Sequence, residues 1–441
     1  MKNPGWVNWR FIWMMIWCCG LGIAGPNAWG WQADNGDGTF KNPVLYADYP
    51  DPDIIRVSND FYLVSTTFAD SPGINVLHSK DLVNWELSSH VATNLDGGNF
   101  YNLIGGSAYR GGFWASSLRY YNGTFYVLAN PTFANSRIYY ATNAAGPWQY
   151  HQLSQSTYDP GLFIETNGTG YIVYGYSPYQ SVATLNADFS AILSVSNNVL
   201  LSGGEGTHIV KQGAYYYAFN ANPGIWPYQL RCSRATNIFG PWETNHVVLT
   251  ETTGGHQGAI VDLDDSGTNF YGFVHQDSGA VGRMTRIGPV FWSGNWPVFG
   301  TTSASNQMSA GYAKPVLGQA IMQPATTDEF TNASLGLQWQ WNHNPDNTKW
   351  SLSARPGWLR LQPTIATNFW LARNTLTQKG QGPWSRGEIK MDISQLQAGD
   401  TCGFGTLGTT NGQIAIYCDA NGGKYLTMNV IAPTNTSGTA W

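Results

Sequence analysis

One pattern recurs five times along the chain and limits its fold more than any other feature: a polar turn runs directly into a short aromatic and β-branched stretch. Ser58-Asn59-Asp60 leads into Phe61-Tyr62-Leu63-Val64, and Asn122-Gly123-Thr124 into Phe125-Tyr126-Val127-Leu128. Asn167-Gly168-Thr169-Gly170 leads into Tyr171-Ile172-Val173-Tyr174, and Gln212-Gly213-Ala214 into Tyr215-Tyr216-Tyr217-Ala218-Phe219. Ser266-Gly267-Thr268-Asn269 leads into Phe270-Tyr271-Gly272-Phe273. Each copy has the chemistry of a hairpin turn feeding a buried strand. Successive copies lie about 45–65 residues apart, the period of a propeller blade of roughly four strands. A second recurrence fits the outer strands that close such blades: Asn84-Trp85-Glu86, Gly146-Pro147-Trp148, Gly240-Pro241-Trp242-Glu243 and Gly294-Asn295-Trp296-Pro297. Stretches with apolar residues three and four apart are scarce, so helices are not expected. The prediction is an all-β chain with a five-bladed β-propeller over residues 36–305.

Residues 306–325 are small and polar, as in a linker. From Asp328-Glu329-Phe330 onward the pattern becomes alternating strands, for example Trp358-Leu359-Arg360-Leu361 and 387–392. That predicts a β-sandwich over 326–441. No closing strand signal precedes Trp441, so an incomplete sandwich is expected.

Charged residues make up only 11% of the chain, and the formal net charge is −5. Nucleic-acid binding needs clustered Lys and Arg, and none is present. Lys2 and Arg10 precede an apolar run from Phe11 to Ala24, the layout of a secretory signal over residues 1–30. The expected location is therefore extracellular or periplasmic, with no membrane partner once the signal is cleaved. Of the remaining cysteines, Cys402 and Cys418 lie close enough in sequence to leave a disulfide open, and Cys232 reads as a buried lone thiol.

Acidic residues number 27 of 441, and three of them sit in rigid apolar or Gly-rich settings. These are Asp51 in Tyr49-Pro50-Asp51-Pro52-Asp53, Asp159 in Tyr158-Asp159-Pro160-Gly161, and Glu205 in Gly203-Gly204-Glu205-Gly206. Each alone is also a turn signature. Zinc patterns, phosphate loops, dinucleotide fingerprints and Gly-x-Ser-x-Gly elbows do not occur.

These segments, in this order, resemble glycoside hydrolase family 43. The resemblance extends to Asn42-Pro43-Val44-Leu45, to Leu77–Trp85, to Gly279-Ala280-Val281-Gly282-Arg283 and to Trp296–Gly300. It is strongest to the β-xylosidase and α-L-arabinofuranosidase branch, whose C-terminal concanavalin-like sandwich the tail also resembles. The resemblance implies an inverting exo-glycosidase on xylan-derived oligosaccharides or arabinoxylan, with Asp51 as general base and Glu205 as general acid. It implies Asp159 as the residue that orients Glu205 and raises its proton affinity. It further implies Arg283, Trp114 and Phe68 as sugar-binding residues, and a backbone-binding role for Asp53. No cofactor is implied as a requirement. Ca²⁺ in the central channel is left open, with His256 as its candidate neighbour, one residue out of step with the family spacing. An endo-arabinanase and a non-catalytic carbohydrate-binding propeller are the alternatives. The loop from about Thr93 to Gly112 is expected to wall the pocket.

Overall fold

The computed structural model describes residues 31–201, 204–222, 228–251, 257–300 and 306–431. The expected signal segment and His256 fall outside them. Five antiparallel four-stranded sheets follow one another in the chain. Blade 1 is Asp53–Val57, Asp60–Ser65, Gly73–Ser79 and Trp85–Ala92; blade 2 is Phe113–Tyr121, Thr124–Pro131, Arg137–Ala141 and Gln149–Gln152. Blade 3 is Gly161–Ile164, Gly170–Tyr174, Tyr179–Leu185 and Ile192–Leu201. Blade 4 is Glu205–Gln212, Tyr215–Asn222, Tyr228–Ala235 and Glu243–Glu251, and blade 5 is Gly258–Asp262, Phe270–Asp277, Arg283–Ser293 and Trp296–Phe299. The first strand of each blade touches the first strand of the next, and blade 5 returns to blade 1. This is a closed five-bladed propeller.

All five repeated stretches fall on the second strand of a blade. The turns ahead of them are tight hairpins: Tyr121 pairs with Thr124 across Asn122 and Gly123, which have φ of 47° and 81°. Asn and Gly tolerate that left-handed backbone better than other residues. The second strands are apolar on both faces because each blade packs between two others. Leu63 and Val64, Val127 and Leu128, Ile172 and Val173, Ala218 and Phe219, and Phe273 and Val274 are all fully buried. The tryptophan motifs open the fourth strands of blades 1 and 5 and immediately precede those of blades 2 and 4.

The segment expected to be a linker instead joins the propeller. Gly311–Ala313 pairs with Thr39–Lys41, next to the ring closure. Lys314, buried beside it, donates to Asp34 Oδ2 at 2.5 Å and lies 2.9 Å from Asp81 Oδ2. Asn84 Nδ2 donates to both aspartates. Removing the cation from such a cluster leaves two buried carboxylates without their counter-charge. Lys314→Met is expected to cost about 3 kcal/mol of stability, read as a lower urea midpoint at pH 7.

The C-terminal region docks on blade 1. Gln340–Asn342 pairs with Leu376–Thr377 on one edge and with Asp70–Ser71 on the other. A separate three-stranded sheet comprises Thr401–Thr406, Asn411–Cys418 and Lys424–Ile431. The strand expected at 387–392 does not form. Its alternating residues are exposed, and it pairs with no described strand. Cys402 and Cys418 are unpaired, because the register sets Cys402 opposite Ile416 and Cys418 opposite Lys424. Cys232 is a free and fully buried thiol.

Candidate active site

The three singled-out carboxylates occupy equivalent places, at the entry to the first strands of blades 1, 3 and 4. Asp51 and Asp159 both have left-handed backbones, with φ of 52° and 44°. Such strain in a non-glycine residue persists only where the surroundings enforce it. For Asp51 the surroundings are blades 1 and 5. Ser65 Oγ and the Thr66 amide donate to the Pro50 carbonyl at 2.8 and 3.1 Å. The Tyr49 amide donates to the Arg283 carbonyl at 2.9 Å.

The Asp51 carboxylate is buried and well supplied with donors. Thr66 Oγ1 donates to Oδ2 at 2.6 Å, and the Arg283 guanidinium donates to Oδ1 at 2.8 Å. His275 Nδ1 lies 3.2 Å from Oδ1 and also accepts the Asp51 amide at 3.2 Å. Burial by itself raises this carboxyl. The Arg283 guanidinium and the Thr66 hydroxyl outweigh it and hold the group well below the usual carboxylate range. A nitrogen that accepts an amide carries no proton, so Arg283 and Thr66 are the donors behind that effect. Asp51 is therefore ionised.

Asp159 is the opposite case. Burial first, then the negative charges of Asp51 and Glu205, push its carboxyl well above the usual range, and Arg283 pulls only part of the way back. This coupling puts Asp51, Asp159, Glu205 and Arg283 in one electrostatic cluster. Asp159→Asn removes the buried ionisable group, and its effect on stability has a definite sign. The raised folded-state value destabilises wild type above it and not below the unfolded value of about 3.9. The variant should therefore melt higher than wild type at pH 7, with the gap closing toward pH 4, while activity falls about 10²-fold. Thermal melts across that range, together with kcat, check it.

Glu205 starts the first strand of blade 4, where a bulge between Glu205 and His208 re-aims the chain. Gly206, with φ of 63°, must be glycine: a Cβ would lie 2.5 Å from the Gln257 side chain. The flank is locked by Gln180 Nε2 donating to the Gly204 carbonyl at 2.9 Å and Thr207 Oγ1 donating to Gln180 at 2.6 Å. The Thr207 amide donates to the Asp159 carbonyl at 3.3 Å, tying blade 4 to the Asp159 turn. The Tyr158 hydroxyl donates to Glu205 Oε2 at 3.0 Å.

Trp114 occupies a matching bulge at the start of blade 2. Its indole donates to the Arg110 carbonyl at 2.9 Å and meets the Tyr158 ring edge-to-face at 6.2 Å. Phe68 is half-buried. Its backbone exchanges two hydrogen bonds with Phe113, linking blade 1 to blade 2. Arg283 pairs with Asp51 and, through Nε, with Asp277 at 3.2 Å. Asp53 opens the first strand of blade 1, where its Oδ2 accepts from the Leu118 amide, Ser117 and Arg119, each at 2.9 Å. It braces blade 2.

The loop across residues 93–112 is held by the C-terminal region. Asn344 accepts the Leu95 amide at 2.8 Å and donates to the Leu95 carbonyl at 2.5 Å. His343 Nε2, fully buried, accepts the Ala108 amide at 3.0 Å. Among the described residues no cluster of three His, Cys, Asp or Glu side chains forms a metal cage, so none is assigned to Ca²⁺. Sequence reasoning did not single out Thr66, Tyr158 or His275. Tyr158 adjoins Asp159, and Thr66 directly follows the first repeated strand, so position beside the repeats was the available signal. His275 lies in an apolar strand and reads as a core residue.

Residues 40–297, more than half of the chain, match the family Glycosyl hydrolases family 43. The chain belongs to glycoside hydrolase family 43. Residues 327–438 match the β-xylosidase C-terminal concanavalin A-like domain. A putative β-xylosidase of Xylanibacter ruminicola is 36% identical over 380 residues, 82% of this chain and 70% of its own length. A non-reducing end α-L-arabinofuranosidase of Bacteroides ovatus is 32% identical, over 75% of this chain and 66% of its own. Among solved structures, a bifunctional GH43-CE protein of Bacteroides eggerthii superposes with a TM-score of 0.80 at 32% identity. The match covers 90% of this chain, which spans about half, 53%, of that one. This family 43 glycoside hydrolase carries Asp51, Asp159 and Glu205 at the entries to the first strands of blades 1, 3 and 4.

Proposed function

We propose that this chain is a secreted, inverting exo-glycosidase. It removes terminal β-D-xylosyl residues from xylan-derived oligosaccharides and also accepts α-L-arabinofuranosyl residues. The observation that carries the reading is the placement of Asp51, Asp159 and Glu205 at the entries to the first strands of three blades, with Arg283 bonded to Asp51 and the Thr207 amide of the Glu205 strand bonded to the Asp159 carbonyl. Relatives named β-xylosidase and α-L-arabinofuranosidase support the sugar class. The 93–112 loop, pinned from the C-terminal region, supports a pocket that admits a chain end.

In the reaction, Glu205 gives its proton to the glycosidic oxygen as the bond to the anomeric carbon breaks. A water on the opposite face attacks that carbon and gives its proton to Asp51. The products are a sugar of inverted configuration and the free alcohol. Asp51 keeps its negative charge through Arg283 and Thr66, as a base must. Wild-type protein is tested on aryl β-D-xylosides and aryl α-L-arabinofuranosides, with the first-formed sugar followed by NMR. The α-anomer of xylose is expected from a β-xyloside. First release of the β-anomer removes the inverting mechanism, and no turnover of any pentoside removes the enzyme reading.

A further inference from the structure

We infer that Tyr158 is a positioning residue for the general acid, fixing which oxygen of Glu205 delivers the proton. The inference deepens the proposed function and rests on its assignment of Glu205. The phenol donates to Glu205 Oε2 at 3.0 Å. Burial, then the charges of Asp159 and Glu205, push phenol ionisation far above the ordinary tyrosine range. Tyr158 therefore stays a donor at every working pH. A carboxyl oxygen that accepts this bond is a poor place for the acid's own proton, so Oε1 carries it toward the sugar.

The ring is held for this task on both sides. Trp114 meets it edge-to-face at 6.2 Å and Tyr176 at 6.1 Å. Trp114 is itself anchored on the Arg110 carbonyl, within the loop that the C-terminal region pins. The Tyr158 carbonyl accepts the Gly175 amide at 3.0 Å, fixing its backbone to blade 3. Glu205 thus inherits its orientation from blades 2 and 3 although it belongs to blade 4. The charged and titratable groups around it are Asp159, Tyr158 and, through their shared coupling with Asp159, Asp51 and Arg283.

As the proton leaves Glu205, negative charge appears on the carboxylate. A donor already bonded to Oε2 stabilises that charge in the transition state and in the product. The benefit grows with the need for proton transfer, so it is large for a sugar leaving group and small for an activated phenol.

The test is Tyr158→Phe, which removes one oxygen and keeps the ring. kcat/KM is measured for xylobiose and for 2,4-dinitrophenyl β-D-xyloside in wild type and variant. The ratio of the two values does not depend on how much protein is correctly folded. The variant's ratio should fall about tenfold, the size of a lost hydrogen bond to a charged group. An unchanged ratio, whether both rates fall together or neither falls, overturns the role of Tyr158. Wild-type silence on both substrates overturns it together with the function on which it rests.

Discussion

Glu205→Gln is expected to lose about 10³-fold in kcat on xylobiose, the range over which a positioned general acid acts. The same variant should keep all but about tenfold of its activity on 2,4-dinitrophenyl β-D-xyloside, whose leaving group departs without a proton. The substitution is conservative in the ways that matter structurally. Glutamine keeps the side-chain length, and its amide oxygen can still accept the Tyr158 hydroxyl that now bonds Oε2. The bulge and Gly206 that aim the residue are backbone features and do not change. What disappears is the proton. Equal losses on both substrates would mean that Glu205 binds or orients the sugar rather than protonating the leaving oxygen.

The propeller was legible in the sequence because a blade's second strand has two buried faces. Phe61, Val127, Ile172, Ala218 and Phe273 lie between neighbouring blades, and such positions need continuous apolar runs that stand out against polar turns. The strand at 387–392 was misread for the complementary reason. Alternation marks a residue pattern suited to a sheet, but a strand also needs a neighbouring edge, and the sequence does not say where edges lie. Residues 306–325 looked like a linker because strand Gly311–Ala313 is short and Lys314 is charged. Its burial depends on Asp34 and Asp81, over 200 residues away. The carboxylates could be singled out because Pro and Gly beside them announce special backbone. Thr66 and His275 carry no such mark. Thr66 reaches Asp51 across the first hairpin of blade 1, and His275 reaches it only because blade 5 closes against blade 1, which is a tertiary event. The same limit applies to Arg283: sequence places it near the pocket, but only the closed ring shows that its partner is Asp51.

Asp51→Asn is expected to reduce kcat by at least about 10³-fold, and by the same factor on xylobiose and on the dinitrophenyl glycoside. Water must attack the anomeric carbon whatever the leaving group is, so the loss of the base cannot be bypassed by a better one. This uniformity separates the base from the acid in one pair of assays. A stability signature accompanies it, opposite in sign to that of Asp159→Asn. The Asp51 carboxyl is held far below its ordinary value in the folded state, by the bonds it accepts from Arg283 and Thr66. Its contribution to stability is present above the unfolded value of about 3.9 and is lost as the pH falls below it. Asp51→Asn should therefore melt below wild type at pH 7, with the difference shrinking as the pH drops under about 4. Two buried aspartates at equivalent entries to blades 1 and 3 then respond to the same substitution in opposite directions. One is paired with a guanidinium, and the other faces two carboxylates. A uniform rise in melting temperature for both variants would mean that Arg283 does not hold Asp51 ionised, and the assignment of the base would fail with it.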